Sequence, residues 1–169
     1  MFAGIEEMNN ITTSIATTPF DEEDLYEKDY QQWLDRTVDQ LRSQAFGELD
    51  LVNLIDEVES LGQNNRHALA SYLMCLCEHL LKVQYWQIER ERCLRGWTAE
   101  IRNFRIQIQK KLKASPSLKR SLPEIFVEEY QNGRKTFLDR SGLEPGIVPM
   151  DPPFTLEEAI DEDWLWDLG

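Results

Sequence analysis

The chain is short of the residues that catalysis and membrane insertion usually require. Its 169 residues include two histidines, His67 and His79, and three cysteines, Cys75, Cys77 and Cys93. No apolar run approaches the roughly 18–20 residues of a membrane span. The first twenty residues, MFAGIEEMNNITTSIATTPF, hold no Lys or Arg and no continuous apolar stretch, so they fit neither a secretory signal nor a transit peptide. An odd, sparse cysteine set without an export signal points to free thiols and a cytoplasmic location. Lys and Arg number 18 against 31 Asp and Glu, a formal net charge of −13. That balance weighs against nucleic acid and anionic membranes as partners of the whole surface. There is no phosphate loop, no dinucleotide fingerprint and no Gly-x-Ser-x-Gly elbow. A di-iron bundle needs Glu-x-x-His on two helices, and neither histidine has a Glu three residues before it. Arg followed four to six residues later by His, as in some helical ribonucleases, is missing too.

Strand alternation is nowhere sustained, whereas helical spacing recurs along most of the chain. Residues 1–19 read as a flexible leader. Asp21 is an expected N-cap for a helix to Gln44, with Leu25, Tyr26, Tyr30, Trp33, Leu34, Val38 and Leu41 at helical spacing. Gly47 marks a turn. Leu51, Ile55, Val58, Gly62, Asn65, Leu69, Tyr72, Leu76, His79 and Val83 then form one stripe, expected to face inward. The expectation at Gly62 is a kinked or interrupted, roughly collinear pair of helices. Cys93–Gly96 reads as a loop, followed by a helix on Trp97, Ile101, Phe104, Ile108 and Leu112 that ends before Pro116. Pro123 opens a last long helix that closes at Gly142. The result is an all-α, up-and-down bundle of four to five main helices over residues 20–141. A chain of this length can bury roughly 70% of its unfolded surface, enough for an ordinary core.

Residues 142–169 form a Pro-rich acidic tail with four prolines, eight acidic residues and no Lys or Arg. TLEE (Thr155–Glu158) has the form of a capping box opening one short helix. Trp164 and Trp166 do not fit a core stripe, so they either dock on the bundle or bind a partner. Charge is segregated: ten of the 18 basic residues lie between Arg90 and Arg120. That segment is a solvated face, a seat for the acidic tail, or a local nucleic-acid footprint.

The stretch LMCLCEHLLKVQYW, Leu73–Trp86, gathers the candidate chemistry. Two residues on a helix turn 200°, so Cys77 points away from Cys75 and His79. Structural zinc takes four ligands, and neither Cys93 nor His67 completes a recognised spacing. No metal and no cofactor are expected. His79 lies on the inward stripe and needs a partner. Glu57, near the edge of an apolar face, needs a donor, which His79, Lys82, Arg102 or Arg105 could supply. Glu57, His79 and Arg102 together in a cleft would be candidate acid/base or ligand-binding residues.

DLYEKDYQQWL (Asp24–Leu34), LDLVNLIDEVESLG (Leu49–Gly62), HLLKVQYW (His79–Trp86), GWTAEIRNFRIQI (Gly96–Ile108), SPSLKRSL (Ser115–Leu122) and PFTLEEAIDEDW (Pro153–Trp164) resemble a helical bacterial family, mainly cyanobacterial. It is catalogued as domain of unknown function number 29. The resemblance spans roughly residues 20–165 and implies a helical fold but no activity. It also singles out a polar set: Glu57, Glu59, His79, Lys82, Trp97, Arg102 and Arg105. The expected function is a non-enzymatic protein-interaction module, binding a protein partner or itself. A ligand binder or hydrolase using Glu57, His79 and Arg102 is the alternative. Nucleic-acid binding through Arg90–Arg120 is a weaker one.

Overall fold

The computed structural model describes residues 22–164. The leader, the Asp21 N-cap and Trp166 lie outside the described residues. The chain divides into two compact units, residues 1–57 and 58–169.

In the first unit the expected single helix is two, α1 (Glu22–Lys28) and α2 (Tyr30–Arg42). Asp29 leaves the helical region, and its carboxylate accepts the Gln32 backbone N–H at 3.0 Å. Asp competes for backbone donors in this way, which makes it a better cap than an interior residue. α2 ends in a Schellman turn. The Ala45 N–H donates to Gln40 O at 2.9 Å, and the Gln44 N–H to Leu41 O at 3.2 Å. Gln44 takes the left-handed position, at φ 60°, that glycine usually fills. Gly47 lies in the 3-10 turn Phe46–Glu48. Trp33 is buried; it packs on Tyr26 and Tyr30, and its indole N–H donates to Asp50 at 3.1 Å.

α3 (Leu51–Tyr85) is one unbroken α-helix, so Gly62 does not interrupt it. A lone helical glycine costs about 1 kcal/mol, which 35 residues of otherwise helix-compatible sequence absorb. α4 (Gln87–Ala114) follows after a single non-helical residue, Trp86. The expected loop at Cys93–Gly96 is therefore helix. The reversal sits instead at Trp86, whose ring stacks on Trp97 and meets Phe137 edge-on. Gly96, like Gly62, faces open space, so neither glycine is required by a turn or a close approach.

The core of the second unit is built from the C-terminal part of α3, α4, α5 (Leu122–Ser141) and the segment after it. Leu69, Leu73, Leu76 and Leu80 meet Ile101, Ile108 and Leu112, with Phe126, Tyr130 and Phe137 from α5. Gly133 lets α5 approach α3 closely: a Cβ there would lie 2.7 Å from Met74 O. The acidic tail belongs to this core, because Val148, Phe154 and Ala159 are buried within it. Thr155 and Glu158 form the expected capping box, opening α6 (Leu156–Ile160). The architecture is all-α, with no strand among the described residues.

Candidate functional site

Between Arg66 and Glu89 the sequence carries two charged residues, Glu78 and Lys82. They lie one turn apart on the buried face of α3. The Lys82 ammonium donates to Glu78 Oε1 at 2.8 Å, and both side chains are more than nine-tenths buried. Arg140 on α5 reaches the same oxygen at 2.6 Å from a half-exposed position. Two cations thus compensate one buried carboxylate, as burial of charge requires. His79 stands beside them. Its Nδ1 is 2.8 Å from Cys75 O, and a carbonyl only accepts, so Nδ1 carries the hydrogen. Nε2 is left as an acceptor, 3.4 Å from Lys82 Nζ. Burial pulls the ring below the usual histidine range, against the Cys75 carbonyl, which works the other way. The neutral ring packs on Phe104. Burial also pushes the Cys75 and Cys77 thiols up, which disfavours thiolate.

Arg105 is nearly sealed, and its guanidinium closes the end of α6. Nε donates to Ala159 O at 2.9 Å, and the terminal nitrogens reach Glu162 O at 3.3 Å and Glu158 O at 3.5 Å. A cation at the negative end of a helix is electrostatically favoured. Burial lowers its pKa from the usual arginine value, while Asp161, Glu162 and Asp163 oppose that. α5 holds the preceding proline-rich stretch by its carbonyls. The Tyr130 hydroxyl donates to Pro149 O at 2.7 Å, Gln131 to Met150 O, and Arg134 to Pro145 O and Val148 O. Trp164 packs against Phe154, 5.7 Å between centroids.

Glu57 takes its donors from elsewhere than expected. The hydroxyls of Tyr26 and Tyr30 donate to its two carboxylate oxygens at 2.6 and 2.9 Å. This bonding raises both phenol pKa values, that of Tyr26 to about 12. Glu59 and Arg102 are exposed, and Trp97 is a core residue. Of the polar set, then, His79 and Lys82 come together, Arg105 binds the tail, and Glu57 belongs to a tyrosine pair. Glu78 and Arg140 complete the cluster without having been singled out. The signal for Glu78 was present: an acid four residues ahead of a lysine, the favourable order on a helix, in a run otherwise free of charge.

The basic segment is not one surface. Arg105 is buried, Lys111 donates to Asn65 at 3.0 Å, and Arg92 pairs with Glu89, while Lys110, Lys113, Lys119 and Arg120 are exposed. The first unit has an open cleft of mixed charge, lined by Lys28, Asp35, Arg36, Asp39 and Glu48 with Gln32 and Gln40 among others. Among the described residues no three of His, Cys, Asp and Glu gather to hold a metal ion. No described helix is long and apolar enough to cross a membrane.

The N-terminal part of α3 carries a different pattern. Leu51 is 54% exposed, Val52 72%, Ile55 54%, Val58 61% and Leu61 63%. At 100° per residue these five positions fall within one half of the helix circumference, together with half-buried Leu54. The inward orientation expected for the whole stripe holds only from Leu69 onward.

No curated protein and no solved structure matches the chain. The family described as "Domain of unknown function DUF29" matches residues 25–165. That span takes in α2 to α6, the Glu78 cluster and the exposed part of α3, and the chain belongs to this family.

Proposed function

We propose that the chain is a non-enzymatic protein-interaction module of the bacterial cytoplasm whose docking face is the N-terminal part of α3. The observation that carries this reading is the row Leu51, Val52, Ile55, Val58 and Leu61, each more than half exposed. Single exposed apolar residues are ordinary, but a contiguous row on one helix face is the form in which helix grooves and partner helices are recognised. The polar groups support the same reading. Lys82 meets both Glu78 and His79, and among the described residues no buried side-chain N or O lacks a hydrogen-bond partner. Glu57, His79 and Arg102 do not share partners, so the ligand-binding or hydrolytic alternative has less support. The free cysteines fit a reducing compartment.

The test is photo-crosslinking in the organism that makes the protein, with a photoreactive residue at position 52 or 61, or at the exposed Lys135 on α5 as control. Adducts from 52 and 61 but not from 135 are expected. Adducts from 135 alone, or from none of the three, would sink the reading.

A further inference from the structure

The charge around the exposed face restricts what can cover it. Between Arg42 and Arg66 the sequence has five acidic residues, Glu48, Asp50, Asp56, Glu57 and Glu59, and no Lys or Arg. On the helix, Asp56 borders the apolar face on the Val52 side and Glu59 falls at that edge between Ile55 and Val52, while Glu57, on the Leu61 side, is held by the Tyr26 and Tyr30 hydroxyls. Asp56 and Glu59 are exposed. The face is therefore an apolar strip with an open acidic edge on its Val52 side.

Three occupants can be compared. A second copy of the face, packed antiparallel about a two-fold axis, would set the same acidic edge against itself, and like charges facing one another oppose association. Residues 1–20 of this chain carry Glu6 and Glu7 and no Lys or Arg, so they meet the same repulsion. The basic helix α4 of another copy offers the right charge. Its apolar side, however, with Trp97, Ile101, Ile108 and Leu112, is already buried in its own core. An amphipathic helix with a Leu-type stripe flanked by Lys and Arg satisfies both features at once, stripe on strip and cations on the acidic edge.

We propose that the α3 face binds a basic amphipathic helix of another protein. This rests on the interaction reading above and names the partner's chemistry. The acidic edge would also speed encounter with such a partner and make binding sensitive to salt.

The probes are two labelled helical peptides with the same leucine stripe, one with lysine on the polar face and one with glutamate. Binding to the full chain is followed by fluorescence anisotropy. The lysine peptide is expected to bind, more weakly as salt rises, and the glutamate peptide not to bind. Val58→Ser with Leu61→Ser removes apolar contact but no charge, and should weaken binding about tenfold or more. Both residues are exposed, so the melting temperature of this variant should stay near wild type, which separates lost docking from lost fold. Unchanged affinity in that variant overturns the proposal, because charge alone would then carry the binding. Equal binding of both peptides, or binding of neither, also overturns it. The interaction reading survives those last two results if positions 52 and 61 still crosslink, and fails with the proposal if they do not.

Discussion

Leu51, Ile55, Val58 and Leu61 at one end of α3, and Leu69, Leu73, Leu76 and Leu80 further along it, are the same kinds of residue at the same helical spacing. The first four are more than half exposed, and the second four are essentially sealed. Periodicity shows that a helix has an apolar face; it does not show whether this chain supplies a cover for it. In the second unit α4 and α5 supply one, and the charges of the sealed part are confined to a compensated cluster. The exposed part instead carries an open acidic edge, Asp56 and Glu59. A helix face that keeps its charges all of one sign is suited to meeting another molecule.

The sharpest way to break this contrast is to shorten one leucine in each part. Leu76→Ala should cost about 2–5 kcal/mol in urea unfolding. Leu61→Ala should stay within about 0.5 kcal/mol; comparable losses would mean the two parts are not different. Next in size is the α3–α5 contact. Gly133→Ala should lose about 1–3 kcal/mol through overpacking, despite the better helix propensity of alanine, and a gain would show that the approach is looser than 2.7 Å implies.

A smaller effect concerns pH. Burial holds the folded pKa of His79 below its ordinary 6.5. The stability it contributes is then complete above pH 6.5 and is lost as pH falls through the folded value, because the unfolded chain takes up the proton first. His79→Gln should flatten the decline in melting temperature below pH 6.5; an unaltered slope would remove the neutral buried ring from the account. Smallest is Gly62→Ala in the exposed part, expected to gain about 0.5–1 kcal/mol because nothing there needs a glycine. A loss would point to a bend or a close contact at that position.

Much of the fold was legible because its causes are local. Helical spacing placed α3, α4 and α5, Pro123 marked the start of α5, and Thr155–Glu158 announced α6. The failures come from competitions that spacing does not resolve. Asp29 could be read as one more polar position in a helix, yet its carboxylate caps α2. Gly62 and Gly96 look like helix ends, yet a lone glycine is cheap inside a long helix. The joint fell instead on Trp86, an aromatic with no turn signature, because its ring has Trp97 and Phe137 to pack on. Of the polar residues, Lys82 and His79 were found, but Glu78, the carboxylate that Lys82 and Arg140 bind, was not. Glu57 looked like a partner for a cation, and only the tertiary structure brings the Tyr26 and Tyr30 hydroxyls to it.

The hold of α5 on the proline-rich tail sets an order of assembly. Val148, Phe154 and Ala159 are core residues, so the second unit cannot close when Ser141 has been made; it must wait for the segment that follows. Until then the growing chain presents Phe126 and Tyr130 without the Phe154 ring that meets them. Arg105, sealed in the finished structure, has no α6 carbonyls to bind. Domains generally fold as units during synthesis. Here the tail acts as a latch, and the core of the unit is complete only once the chain has reached α6.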